Sequence, residues 1–299
     1  MGERSFMMNS MLKIAGMTMP LNNMERLDKY LKKTEKKSDY DYKIPNGMRL
    51  NGAISKVINA DMPVYILNPR HFRSKKKVIY FHGGGYVVDM AKQHWQMIDK
   101  IGKLSGASIL IPIYPLAPAN NFDVCFERIL SFYDELTKCM DSKELIFMGD
   151  SAGAGLALGF AQYLKELGKD MPSQVIMISP WLDLSMENTD MKSVQSKDNI
   201  LGIAELKKCG KLWAGDVSIR DYRVSPMFGN LDGLPKMSVF TGTDDILNCD
   251  AREFKRVCEK KNIDINYFEY ENMPHVFPLF PSNDSKEALK KIATELLYN

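Results

Sequence analysis

Gly149-Asp150-Ser151-Ala152-Gly153 is the segment that most narrows the folds open to this chain. It fits G-x-S-x-G, in which a serine sits on a tight turn between a β-strand and an α-helix. Both flanking elements are legible. Glu144-Leu145-Ile146-Phe147-Met148 is a short apolar run that stops at Gly149. Beyond Ser151, residues Ala152, Ala154, Leu156, Ala157, Leu158, Phe160, Ala161 and Leu164 make a helical pattern that ends at Leu167-Gly168. Such a turn strains the backbone at its apex, so the neighbours must be small, as Gly149, Ala152 and Gly153 are. The helix beginning beside Ser151 directs its positive end at the apex and favours negative charge there. Upstream, His82-Gly83-Gly84-Gly85 follows a second apolar run, Lys77-Val78-Ile79-Tyr80-Phe81. It fits H-G-G-G, a loop whose backbone N–H groups help hold an oxyanion. The two segments together point to a serine that attacks a carbonyl while backbone amides stabilise the resulting charge.

Apolar runs of four or five residues bounded by glycine are the mark of strands buried in a parallel sheet. Strands are predicted near 48–58, 63–68, 78–81, 107–113, 144–148, 174–179, 237–241 and 263–271. Helices are predicted around 93–104, 122–139, 152–167 and 285–297. This alternation implies a largely parallel sheet with helices on both faces. Two pieces do not fit it: the Lys- and Met-rich residues 1–45, and residues 183–220, a polar stretch (186–199) followed by a helical one (203–213). Insertions of that length at the C-terminal ends of strands sit over a site, so both are expected to form a cap on a catalytic body spanning 46–299.

Composition excludes several classes. At 299 residues, 45% hydrophobic and 26% charged, the chain can bury one substantial core. The net charge of +3 is mild, and the lysine clusters 32–37 and 75–77 read as solvated surface, so no nucleic-acid partner is expected. The five cysteines, Cys125, Cys139, Cys209, Cys249 and Cys258, have no metal-binding spacing and are odd in number. They imply reduced thiols in the cytoplasm and no metal site. The apolar stretch around Met7-Met8 and residues 11–17 is interrupted by Asn9, Ser10 and Lys13. It reads as an amphipathic helix packed on the body rather than a secretory signal, and no run reaches the roughly 20 apolar residues of a membrane span.

The other catalytic groups are sought by order, since after a nucleophile of this kind the acid comes next and the histidine last. Of the four histidines, His71, His82 and His94 precede Ser151, which leaves His275 as the base. The acid belongs after the 237–241 strand, where Thr241-Gly242-Thr243-Asp244-Asp245-Ile246-Leu247 offers two aspartates. Spacing does not separate them, because the other could cap the helix that begins near Asn248.

With these residues in place, the chain resembles the hormone-sensitive-lipase-like branch of the α/β-hydrolases, which includes bacterial carboxylesterases and acetyl esterases. The matching segments are His82-Gly83-Gly84-Gly85-Tyr86, Tyr114-Pro115-Leu116-Ala117-Pro118, Gly149-Asp150-Ser151-Ala152-Gly153, Asp245-Ile246-Leu247 and His275-Val276-Phe277. The resemblance implies the α/β-hydrolase fold: a mostly parallel central sheet, helices on both faces and a helical cap. It selects Asp245 over Asp244 as the acid and assigns the oxyanion donors to the amides of Gly83, Gly84 and Ala152. The family's usual Tyr-Arg-Leu-Ala-Pro-Glu is here Tyr114-Pro115-Leu116-Ala117-Pro118-Ala119, and Ala154-Gly155 replaces the common Gly-Asn. Neither departure touches the triad.

The expected function is that of a serine carboxylesterase acting on small, short-acyl esters through an acyl-enzyme. It needs no cofactor, and Tyr86 and Trp181 are candidates to line the substrate pocket. The expected partner is a small-molecule ester; no membrane or nucleic-acid partner is expected, and a homodimer stays open. An amidase or deacetylase would use the same triad, and a catalytically inactive homologue that binds a small ligand would keep the fold without the turnover.

Overall fold

Five to ten residues of extended chain separate the helices almost everywhere the apolar runs predict. The computed structural model describes residues 19–38, 41–71 and 73–297. The strands are β1 (Ala53–Asn59), β2 (Met62–Asn68), β3 (Lys77–Phe81), β4 (Ser108–Pro112), β5 (Leu145–Asp150), β6 (Gln174–Ile178), β7 (Lys236–Asp244) and β8 (Ile265–Pro274). They form one sheet in the order β1-β2-β4-β3-β5-β6-β7-β8. The β1–β2 and β2–β4 pairs are antiparallel, and every pair from β4 onward is parallel. Every residue of β5 and β6 is buried, as continuous apolar strands in the middle of a parallel sheet should be.

The described helices are α1 (Met24–Thr34), α2 (Lys92–Ser105), α3 (Phe122–Thr137), α4 (Ala152–Glu166), α5 (Met191–Val194), α6 (Ile203–Ala214), α7 (Asn248–Lys260) and α8 (Asn283–Leu297). Helices α2 and α8 pack on each other, whereas α4 lies along β3, β5 and β6. Helix α3 meets α4 through Phe126–Phe160 and Tyr133–Phe160 edge-to-face pairs, and Tyr133 and Phe160 both close on Phe147 of β5. Aromatic pairs in that geometry add to simple burial.

The expected strand near 48–58 begins only at Ala53, because the preceding backbone is drawn off the sheet. Asn51 N–H and Gly52 N–H both donate to the buried Asp99 carboxylate of α2, at 2.9 and 2.8 Å. The candidate amphipathic helix of residues 7–17 lies outside the described residues. What is described of the N-terminal piece, a 3-10 turn at Pro20–Asn22 and α1, packs against the 183–220 insertion. Gly202 N–H donates to Leu21 O at 2.7 Å, Asn22 Nδ2 donates to Asn199 O at 2.8 Å, and Lys208 pairs with Asp28 at 2.5 Å.

Candidate active site

Strand β5 ends and α4 begins with a single residue between them, Ser151, and its backbone sits at φ 54°, ψ −122°. A non-glycine residue there stores about 1–3 kcal/mol of strain, which the surroundings must impose. Glycines at 149 and 153 make the turn feasible: a Cβ on Gly149 would lie 2.3 Å from Gly153 O, and one on Gly153 would lie 2.1 Å from Phe81 O. Ser151 N–H donates to Ile178 O of β6, and Ser151 O accepts from Trp181 N–H. The side chain makes no cap bond to its own helix. Its Oγ is left for a partner.

That partner is His275. Ser151 Oγ lies 2.9 Å from His275 Nε2, and His275 Nδ1 lies 2.9 Å from Asp245 Oδ2. Residues 124 and 30 positions from the histidine converge in one buried line. Of the two adjacent aspartates, Asp245 is the one at the imidazole. Its Oδ1 accepts Leu247 N–H at 2.9 Å, so one oxygen anchors the loop and the other faces the histidine. Asp244 is still part of β7, in register with Pro274. The histidine loop is pinned from its far side. Val276, held at φ 45°, donates its N–H to Ser179 Oγ at 3.0 Å. A β-branched residue adopts that conformation only under constraint, and the constraint fixes the backbone next to His275.

Burial disfavours a charged imidazole, but the Asp245 carboxylate, with Asp198 and Asp150 behind it, outweighs burial and holds the His275 pKa above its ordinary value. The site therefore favours a proton on His275, as a base that must carry one during a reaction requires.

Asp150, the variable position of the G-x-S-x-G segment, is the hub of a second network. Its Oδ1 accepts from Tyr80 OH and from Gly83 N–H (3.0 Å), and its Oδ2 lies 3.3 Å from His94 Nε2. Ala91 N–H donates to His94 Nδ1 at 3.0 Å, so Nε2 carries the proton and donates to Asp150. Burial would raise the Asp150 pKa, yet His94 and Tyr80 hold it below the usual carboxylate range. The carboxylate thereby staples the 82–85 loop to the serine turn.

This staple corrects one expected assignment. The resemblance gives Gly83 an oxyanion-binding N–H, but that N–H is already donated to a buried, ionised carboxylate. Among the described residues, no acceptor meets the N–H groups of Gly84 and Gly85 on the loop or those of Ala152 and Gly153 at the start of α4. The N–H groups of Gly84 and Ala152 stay open, and the other open N–H on the loop is that of Gly85 rather than Gly83. His82, the loop's first residue, directs Nδ1 to Gly83 O at 2.7 Å and stacks on Tyr114 at 4.6 Å. Burial pushes its pKa down to about 4, so it is neutral and shapes the loop.

Tyr86 and Trp181 are both fully buried. Tyr86 stacks on Trp213 of α6 at 4.2 Å, with planes 3° apart, and on Trp181 at 5.6 Å. The structure places these rings in a packed stack that joins the oxyanion loop, the strand-end loop after β6 and the insertion. Leu21 comes down on the same loop, since a Cβ at Gly85 would lie 3.2 Å from Leu21 Cδ2 and 3.9 Å from Cys209 Cβ. No signal in the sequence marked His94, Ser179 or Asp198 as neighbours of this site; each depends on tertiary placement, as do the bonds that Asp150, next to the serine, makes to Gly83 and His94. Among the described residues no cluster of three His, Cys, Asp or Glu side chains could hold a metal ion, and no helix is long and apolar enough to cross a membrane.

Comparison with known proteins agrees with this fold. Residues 78–279 match the model of an α/β hydrolase fold family. An esterase of Acinetobacter venetianus is 30% identical over 220 residues, covering 72% of this chain and 73% of that one. A crystal structure from Staphylococcus aureus superposes with a TM-score of 0.88 at 29% identity, over 93% of this chain and 94% of the other. An esterase of the bacterial hormone-sensitive lipase family shares the fold, with a TM-score of 0.81 at 22% identity over 96% and 95% of the two chains. The match over residues 78–279 covers more than half of the sequence, and the chain belongs to the α/β hydrolase fold family.

Proposed function

We propose that the chain is a serine carboxylesterase that hydrolyses small, short-acyl esters in the cytoplasm. The observation that carries the reading is the continuous line Ser151 Oγ–His275 Nε2 and His275 Nδ1–Asp245 Oδ2, each step at 2.9 Å. In this reading His275 takes the Oγ proton as Ser151 attacks the ester carbonyl, and Asp245 accepts the Nδ1–H bond and stabilises the imidazolium. The carbonyl oxygen becomes an oxyanion held by the free N–H groups of Gly84, Gly85 and Ala152 and by the positive end of α4. His275 then gives its proton to the departing alcohol, which leaves an acyl-enzyme. Water, deprotonated by His275, attacks the acyl carbon; collapse of the second oxyanion releases the acid and returns the proton to Ser151.

Fluorophosphonate labelling tests the class of activity. Covalent capture at Ser151 supports the reading, and a folded chain that does not label is an inactive ligand-binding homologue. Hydrolysis of p-nitroanilides faster than of the matching p-nitrophenyl esters would make it an amidase.

Residues 1–45 and the 183–220 insertion are read as the cap over this site, on a body of residues 46–299. Leu21 against Gly85 and the Trp213–Tyr86–Trp181 stack support a confined substrate space. A series of p-nitrophenyl esters is therefore expected to peak at roughly two to eight acyl carbons and to fall beyond that. Faster turnover of emulsified long-chain triglyceride than of p-nitrophenyl butyrate would show that the space is open instead.

The oxyanion donors make a second expectation. A Cβ at Gly84 would lie 2.2 Å from Val88 O, on a backbone at φ 124°, so Gly84→Ala must turn the peptide away. Losing one donor lowers kcat by about 10²–10³. A Gly84→Ala protein with native circular dichroism and wild-type kcat would remove this loop from the reaction.

A further inference from the structure

The polar stretch that ends the first half of the insertion carries no motif, yet its Asp198 reaches into the site. Asp198 is 7% exposed. Its Oδ1 accepts the N–H groups of Ile200 and Leu201, both at 2.9 Å, and its Oδ2 accepts Ile246 N–H at 3.0 Å. Ile246 is the residue immediately after Asp245. The Asp245 side chain in turn holds Leu247 N–H with Oδ1, which leaves Oδ2 for His275. One side chain of the insertion thus fixes the peptide that carries the acid. Gln195 stiffens the same turn: its Nε2 donates to Leu201 O (2.9 Å) and its Oε1 accepts Ile203 N–H (3.0 Å). Gly202 N–H then ties the turn to Leu21 O of the N-terminal segment.

We propose that Asp198 is a positioning residue for the ester hydrolysis: through Ile246 it sets the place of Asp245, and it supplies a second negative charge behind the His275 imidazole. The proposal rests on Ser151, His275 and Asp245 acting together as described above. It makes the insertion part of the catalytic apparatus as well as its cover. A role in fold stability alone does not account for the charge. Burial, and then the nearby Asp245 carboxylate, push the Asp198 pKa up to about 6. A carboxyl raised in the folded state is one whose ionised form the fold disfavours, so above that pH its charge opposes stability. The charged and titratable groups facing His275 are Asp245, Asp198 and Asp150, and those facing Asp198 are Asp245 and His275.

Asp198→Asn keeps the shape, removes the charge, and turns an NH₂ toward one of the N–H groups the carboxylate accepted. Three measurements compare it with wild type: kcat and KM for p-nitrophenyl butyrate, the pH profile of kcat/KM, and the NMR titration of the His275 ring, identified by its absence in His275→Gln. The expected result is a kcat lower by about 10–100-fold, the loss that a small misplacement of a catalytic group produces, with KM changed much less. The acid limb of kcat/KM and the His275 titration both move to lower pH, because a negative charge has left the imidazole. A folded variant with wild-type kcat overturns the proposal. So does a lowered kcat with an unmoved His275 titration, the signature of a merely structural residue. The titration does not depend on turnover. If wild-type protein hydrolyses no ester, the proposed activity fails while Asp198 is still judged by the shift. Should the Asn protein not fold, Asp198→Glu takes its place: it keeps the charge and displaces Ile246, so kcat falls with the titration near wild type, and an undiminished kcat overturns the proposal.

Discussion

Ser151→Ala is expected to fold normally and to lose ester hydrolysis by about 10⁵–10⁶-fold, the scale on which a serine hydrolase loses turnover with its nucleophile. The two halves of that expectation have separate causes. Folding survives because the Ser151 side chain caps no helix and its Oγ bonds to His275 Nε2. The bonds that hold the turn are backbone ones, Ser151 N–H to Ile178 O and Trp181 N–H to Ser151 O, and alanine keeps both. Alanine also keeps the Cβ, so the strain at φ 54° is unchanged and the melting temperature should stay within a few degrees. Turnover fails because no other side chain replaces an oxygen at that apex. A residual rate above that of water remains, since the oxyanion N–H groups and the bound substrate geometry are still present. Turnover of p-nitrophenyl butyrate and fluorophosphonate labelling both measure it. Substantial activity in the alanine protein, or undiminished labelling, would move the nucleophile elsewhere and sink the proposed mechanism.

The parts of this site that are local in sequence were legible there, and the parts made by long-range polar bonds were not. The serine turn could be read because a strand, small neighbours and a helix are all encoded within about twenty residues. His275 could be read by elimination, since no other histidine follows Ser151. The resemblance chose Asp245, and the geometry puts that residue at the imidazole. Gly83 was the residue misassigned, and the cause is instructive. Its N–H is taken by a carboxylate 67 positions away, and nothing in the H-G-G-G pattern says which of three successive amides will be spent that way. The same physics governs the strand expected from residue 48: the N–H groups of Asn51 and Gly52 go to Asp99 on a helix, so the sheet ladder starts later. A buried carboxylate needs donors, and it draws them from whatever backbone passes within reach. Asp150, Asp198 and Asp99 each do this, and sequence periodicity carries no record of it.

Asp245→Asn should lower kcat/KM by about 10⁴, the loss seen when the analogous acid of a serine protease is changed. The reason is the direction of one hydrogen bond. Asp245 Oδ2 can only accept, so it fixes the His275 proton on Nδ1 and leaves Nε2 free to take the proton of Ser151. Asparagine can turn its NH₂ toward Nδ1, which places the ring proton on Nε2 and faces Ser151 with a donor. The charge matters as well. Burial lowers the His275 pKa, and Asp245, with Asp198 and Asp150 behind it, more than restores it, so in wild-type protein the pKa lies above the ordinary 6.5. Only the neutral imidazole is a base, so wild-type kcat/KM should rise with pH through that value, and the residual activity of Asp245→Asn should rise through a lower one. Stability follows the opposite sense. A raised histidine pKa contributes stability that is present at low pH and lost as pH climbs through the folded-state value. The melting-temperature deficit of Asp245→Asn against wild type should therefore shrink as pH is raised across that range. Asp244→Asn is the control one position away. Asp244 ends β7 opposite Pro274, while the carboxylate at the imidazole is that of Asp245, so its kcat/KM should stay within about tenfold of wild type. A larger loss from Asp244→Asn than from Asp245→Asn would put the wrong aspartate on the histidine, and with it the register of the whole acid loop, including the grip of Asp198 on Ile246.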